Sequence, residues 1–213
     1  MVWSLKTARP DADAQGALKP GGLYLVTGGS GGVGSLLVRH LTEQYDAQVV
    51  VIGRRHAGPI GVRSVYEVAD CGDFEQVHAV VIRAEARCGR TLDGIFHLAG
   101  DKGMADDPAS ADAFLAAFRA KVDGTIALAR LMEARPEVQL VLFSSVLGLF
   151  GSSEMWAYSA ANSFMDLAAS NLRKRFGERV HCFNWSTWDG LGMSAGTANG
   201  SAQAATAPTR KGE

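Results

Sequence analysis

Four polar side chains in the second half of the chain have the types and spacing for proton transfer to a carbonyl: Lys121, Ser145, Tyr158 and Asn162. Ser145 closes an apolar run, Leu140-Val141-Leu142-Phe143-Ser144-Ser145. Tyr158 and Asn162 stand four residues apart, the spacing that places two side chains on one helix face. A phenol near a hydroxyl and an ammonium can hand a proton to a ketone oxygen. An unperturbed tyrosine titrates near pH ~10, and a neighbouring ammonium favours the phenolate, so Lys121 is expected to bring Tyr158 toward working pH. Taken singly, each residue also has an ordinary structural role: an amphipathic core tyrosine, a strand-end cap, a surface lysine, a helix cap.

The elements that would position these groups follow from the hydropathy pattern. Residues 1–20 hold Pro10, Pro20, Asp11, Asp13 and Gly16 without periodicity and read as a linker. Apolar runs at 23–27, 48–52, 65–68, 94–98, 139–144 and 180–184 read as strands. Helical spacing follows at Val33–Leu41, Phe74–Ala86, Ala111–Glu133 and Met155–Arg175. The strands are continuously apolar, as burial on both faces demands. Their alternation with helices predicts an α/β fold of Rossmann type, a doubly wound parallel sheet with helices on both faces. This domain is expected to occupy residues 21–193. Residues 194–213, Gly/Ala/Thr/Ser-rich with almost no large apolar side chains, are expected to be a disordered tail.

Composition narrows the class. Of 213 residues, 47% are hydrophobic and 20% charged, with a formal net charge of −1. Such a balance favours neither nucleic acid nor an anionic membrane as partner. The three cysteines, Cys71, Cys88 and Cys182, are odd in number and widely spaced, which reads as thiols in a reducing compartment rather than a disulfide framework or a metal site. With no apolar signal core or membrane-length run, the expected location is the cytoplasm.

A glycine-rich loop follows the first strand and opens the first helix: Thr27-Gly28-Gly29-Ser30-Gly31-Gly32-Val33-Gly34. Glycines at 28, 32 and 34 permit a tight turn and close backbone approach to a pyrophosphate, and the helix N-terminus offers free N–H groups to it. Thr27, Gly28, Ser30, Gly31, Gly32 and Gly34 are the candidate phosphate-binding residues. After the second strand an acidic residue would favour NAD through the ribose hydroxyls; Gly53-Arg54-Arg55 stands there instead, and guanidinium groups suit a 2′-phosphate. NADPH is therefore the expected cofactor, although an arginine pair at a strand end is also an ordinary solvated feature. Asp70 after the third strand suits either an adenine amino group or a turn. Ala99 and Gly100 end the fourth strand with room for a nicotinamide ribose.

Together these segments resemble the catalytic half of a modular polyketide synthase ketoreductase, within the short-chain dehydrogenase/reductase superfamily. The glycine loop carries the resemblance, with His97-Leu98-Ala99-Gly100, Lys121-Val122-Asp123-Gly124, Phe143-Ser144-Ser145, Tyr158-Ser159-Ala160-Ala161-Asn162 and Asn184-Trp185-Ser186-Thr187-Trp188. Its specific part is Tyr-x-x-x-Asn with the lysine upstream, where the wider superfamily has Tyr-x-x-x-Lys. Residues 184–193 are most similar to bacterial synthases with separate acyltransferases. The resemblance implies NADPH-dependent reduction of a β-ketoacyl thioester on an acyl carrier protein. Tyr158 would be the proton donor, Ser145 would orient the ketone oxygen, and Lys121 and Asn162 would support a relay through the ribose and water.

Three departures from the family pattern shape the expectation. Members carry an N-terminal structural subdomain, and only about 20 residues precede the first strand here. Members continue into a substrate lid where this chain gives Ser194-Ala195-Gly196. The Leu-Asp-Asp marker of one stereochemical subtype is replaced by Asp101-Lys102-Gly103-Met104, with Asp106-Asp107 too late, and Phe150 stands where the other subtype often has Trp. Absence of the Asp pair points to the L-hydroxy product. The missing lid motivates one alternative, a non-catalytic module that organises a synthase with neighbouring domains; a second, a free-standing short-chain reductase or epimerase, is opposed by Tyr158-x-x-x-Asn162 in place of Tyr-x-x-x-Lys.

Overall fold

The computed structural model describes residues 18–55, 57–100 and 111–188. Six parallel strands make one sheet: β1 (Leu23–Thr27), β2 (Gln48–Gly53), β3 (Ser64–Val68), β4 (Gly94–His97), β5 (Gln139–Ser145) and β6 (Val180–Trp185), in the order β3-β2-β1-β4-β5-β6. This is the doubly wound order expected. β1 is buried at all five positions, because helices cover both of its faces. Leu23, Leu25, Val50, Ile52, Ile95, Leu140 and Leu142 enter one core layer, and Tyr24, Val26, Val49, Val51 and Phe96 enter the other.

The helices are α1 (Gly32–Gln44), α2 (Phe74–Cys88), α3 (Ala111–Phe118), α4 (Gly124–Ala134), α5 (Val146–Phe150) and α6 (Trp156–Phe176). α2 starts where Asp73 accepts the N–H groups of Glu75 and Gln76, and stops at Gly89, which takes φ +62°.

Three expectations need correction. The helix predicted over 111–133 is two helices joined by a π-helical turn, Arg119–Asp123. The short helix α5, directly after β5, was not predicted. The linker assigned to residues 1–20 ends earlier: Lys19 donates its N–H to the Tyr24 hydroxyl at 2.7 Å and pairs with Asp93 through Nζ at 2.7 Å, so it belongs to the fold. The rest of that linker, the Asp101–Asp107 stretch and the tail at 194–213 lie outside the described residues. Among the described residues, no helix is long and apolar enough to cross a membrane.

The topology fixes where a site can form. β2 and β3 lie on one side of β1, and β4 to β6 on the other. The chain therefore reverses direction between β1 and β4, and their carboxyl ends open a crevice there.

Candidate active site

The crevice floor is built from β1 and β4. Thr27 Oγ1 lies 2.7 Å from His97 Nδ1 and accepts the Ala99 N–H at 3.1 Å, pinning the two strand ends together. Gly28 then turns with φ +71°, and a Cβ there would lie 2.7 Å from Ala99 N. A side chain at Gly34 would overlap the Gly28 carbonyl. Gly28 lets the loop lie against the segment after β4, and Gly34 lets the start of α1 close onto the loop, the tight turn that the sequence implied. Thr27 itself is fully buried and its hydroxyl is consumed, so it shapes the floor, whereas Ser30 and Gly31 are exposed.

The start of α1 has the character of an anion site. Its N-cap is Gly31, with no side-chain cap and no acidic residue in the first turn. The helix thus leaves its first N–H groups and its positive end uncompensated beside the loop, and a pyrophosphate fits both. Arg54 and Arg55 lie exposed just beyond β2, where the Arg55 carbonyl accepts the Tyr66 hydroxyl at 2.6 Å. Asp70 uses its carboxylate locally, accepting the Gly72 N–H at 3.0 Å and facing Arg119 at 3.5 Å. The turn role read from the sequence is therefore present. Asp70 also lines a depression of about 140 Å³ with Gly72, Asp73, Gln76, Arg119 and Asp123.

Lys121 is 2% exposed and lies on the π turn. A π turn leaves carbonyls without their usual α-helical partners. Here the Thr125 hydroxyl donates to the Lys121 carbonyl at 2.6 Å, and the Cys71 thiol faces that of Ala120 at 3.7 Å. The ammonium donates to the Phe143 carbonyl at 2.9 Å and touches Met165 Sδ at 3.5 Å. Burial pulls its pKa down to about 8. Gly124 completes the segment: a Cβ there would lie 2.7 Å from His97 Cε1. His97 packs in that space with Nε2 toward the backbone of Ala120 and Lys121, outside good hydrogen-bond geometry. Burial, aided by the Lys121 charge, drives its pKa to about 3, so His97 is a neutral structural residue.

The structure brings the four catalytic candidates together. Lys121 Nζ lies 5.7 Å from the centre of the Tyr158 ring. Ser145 caps α5, its Oγ accepting the Leu147 N–H at 3.2 Å. Asn162 is fully buried and donates from Nδ2 to the Tyr158 carbonyl at 2.7 Å, while its Oδ1 has no hydrogen-bond partner among the described residues. Phe114 of α3 stacks on Trp156 at 5.3 Å and anchors the turn that carries Tyr158.

The expected effect on the Tyr158 pKa is corrected. Burial raises it; the side chains of Asn162 and Ser145 lower it in part, and Lys121 is not among the causes. Desolvation of the phenolate therefore outweighs those two side-chain hydrogen bonds.

Sequence reasoning gave no role to Asp166 and Asn184. Asn184 Nδ2 donates to Asp166 at 3.0 and 2.9 Å and to the Ser145 carbonyl at 3.2 Å. Asp166 stands four residues beyond Asn162 on α6, a spacing that could have flagged it.

A family model described as "KR domain" matches residues 22–190. Polyketide synthase ThaG of Burkholderia thailandensis is 32% identical over 90% of this chain, and erythronolide synthase EryA3 of Saccharopolyspora erythraea is 34% identical over 81%. The chain spans only 4% and 6% of those proteins. A solved structure of A-type ketoreductases from a modular polyketide synthase superposes with a TM-score of 0.77 at 30% identity, covering 88% of this chain and 42% of that one.

Proposed function

This chain belongs to the KR domain family of polyketide synthases, and from that premise we propose that it reduces a β-ketoacyl thioester, carried on an acyl carrier protein, with NADPH. The observation that carries the reading is the convergence of Lys121, Ser145, Tyr158 and Asn162 at the carboxyl end of β5, beside the crevice that fits a dinucleotide. The N–H groups of α1 and the loop from Gly28 to Gly34 would hold the pyrophosphate; Arg54 and Arg55 would meet the 2′-phosphate; Asp70, Ala99 and Gly100 would flank the adenine and nicotinamide ends. Bound NADPH supplies the hydride.

The chain's own residues manage the proton and the developing charge. Ser145 Oγ spends a lone pair on Leu147 N–H, which leaves its hydrogen to donate to the ketone oxygen. Tyr158 gives that oxygen its proton. Burial keeps the phenol protonated until then, and as the proton leaves, the side chains of Ser145 and Asn162 stabilise the phenolate. Asn162 Oδ1, without a hydrogen-bond partner among the described residues, would accept a hydrogen bond from a water that returns a proton. The configuration read for the product is L-hydroxy. The test is consumption of NADPH with a β-ketoacyl thioester surrogate and chiral analysis of the product. Tight NADPH binding without turnover would instead favour a non-catalytic synthase module.

The arginine pair makes a separate prediction. Replacing both Arg54 and Arg55 with Ala should weaken NADPH binding about 10- to 100-fold, the worth of charge-assisted hydrogen bonds to a phosphate, and leave NADH binding unchanged. Fluorescence titration with both dinucleotides checks it; equal losses for the two would remove the arginines from 2′-phosphate recognition.

A further inference from the structure

A polar cluster of Asp166 and Asn184 lies against the Ser145 backbone, and the proposed reaction makes no direct use of it. Asn184, near the end of β6, offers two amide hydrogens. Its Nδ2 reaches both oxygens of Asp166, at 3.0 and 2.9 Å, and on the other side the Ser145 carbonyl at 3.2 Å and Ser144 Oγ at 3.4 Å. A carboxylate only accepts, so Asp166 compels Asn184 to present nitrogen rather than oxygen. The same nitrogen then holds the carbonyl of the serine that would orient the ketone. Two further contacts fasten the segment after Ser145 to α6. The Ser163 hydroxyl donates to the Gly148 carbonyl, and a Cβ at Gly148 would lie 2.9 Å from Asp166 Oδ2 and 3.1 Å from the Asn162 backbone. The Cys182 thiol also donates to Asp166 Oδ1 at 3.3 Å. Asp166 thus ties β6 to the helix that carries Tyr158 and Asn162, and Ser163 ties α5 to the same helix.

We propose that Asp166 and Asn184 are positioning residues: the carboxylate fixes the amide, and the amide fixes the Ser145 backbone, setting the distance between the Ser145 and Tyr158 hydroxyls. The inference rests on the catalytic reading above for its consequence in turnover. The clamp itself has an independent readout.

Asp166→Asn keeps the size of the side chain but can donate as well as accept, so the Asn184 amide is free to turn over. In this variant, amide hydrogen exchange at Leu147, whose N–H rests on Ser145 Oγ, is expected to quicken about tenfold. Turnover of a β-ketoacyl thioester is expected to fall about 10- to 100-fold, the cost of a small misplacement of an orienting group, with NADPH affinity retained. In a Ser145→Ala background the same substitution should cost almost nothing further, because both changes disable one hydroxyl. The exchange of partners, Asp166→Asn with Asn184→Asp, preserves an Asp–Asn hydrogen bond but turns a carboxylate oxygen on the Ser145 carbonyl. It should therefore not rescue either readout.

Rescue by the exchange, or losses that multiply in the Ser145→Ala background, would reduce the pair to ordinary packing and overturn the proposal. If the wild-type chain shows no turnover, the catalytic reading fails, and the exchange rate at Leu147 still decides the clamp: an unchanged rate in Asp166→Asn overturns it. Should Asp166→Asn not fold, Asn184→Ala carries the same readouts with the same expected direction.

Discussion

Tyr158→Phe is expected to lower turnover of a β-ketoacyl thioester by about 10²- to 10⁴-fold, the usual worth of a positioned general acid. NADPH affinity and thermal stability should change little. The substitution deletes one oxygen and keeps the ring that packs near Lys121. The two bonds that order the neighbourhood do not involve the phenol: Ser145 Oγ holds Leu147 N–H, and Asn162 Nδ2 holds the Tyr158 backbone carbonyl. Chemistry and fold are thereby separable at this position. Steady-state kinetics with a cofactor titration and a melting curve checks all three expectations. Turnover at the wild-type rate would mean that another group protonates the ketone. His97, pushed to a pKa of about 3, cannot be that group near neutral pH.

The second large effect concerns stability against pH. Lys121 is buried, and its pKa falls from 10.5 to about 8. Below about pH 8 it is charged in both folded and unfolded chains, and the folded state bears the full cost of burying the charge. Between about pH 8 and 10.5 the folded chain has lost the proton and the unfolded chain keeps it. The unfolded state then binds more protons, so this site's contribution to stability rises with pH across that window. At roughly 1.4 kcal/mol per pKa unit, the total is on the order of 3 kcal/mol. Cys71 and Cys182, pushed up to about 12, act in the opposite direction above the ordinary thiol range, so the comparison must be differential. Lys121→Met removes the titration and leaves the thiols. The stability difference between Lys121→Met and wild type should therefore favour the variant most near pH 7 and shrink by about 3 kcal/mol by pH 10.5. Denaturant unfolding at several pH values measures it. A constant difference would mean that the ammonium keeps its ordinary pKa in the fold.

That cost bears on function. A lysine that stayed at the surface would hold no charge against Tyr158. The buried lysine sits on a π turn, where Thr125 and Cys71 contact the Lys121 and Ala120 carbonyls and Gly124 leaves room for His97.

The strands were legible because a buried parallel strand must be apolar on both faces, and Leu140 to Phe143 or Leu23 to Val26 are readable as such without knowledge of their neighbours. Tyr158 and Asn162 were legible because four residues make one helical turn. The π turn was not, because apolar residues continue through 111–133 in helical spacing while the turn depends on side chains from elsewhere, one of them 49 residues away. The five residues of α5 are too few to display a period. The direction of the Tyr158 shift was misread for a related reason: charge can be read from residue type, but desolvation depends on what the fold packs around the ring. Asp166 and Asn184 share no sequence neighbourhood; only the pairing of β6 with β5 sets Asn184 opposite Ser144 and beside Ser145.

The most direct test of the central claim follows a single isotope. The chain is incubated with NADPH deuterated at the transferable position of the nicotinamide and a β-ketoacyl thioester, and the product is weighed by mass spectrometry. The expected product is a β-hydroxyacyl thioester carrying one deuterium at the β-carbon, formed by the wild-type chain and lost in Tyr158→Phe. Cofactor bound without any labelled product would contradict it.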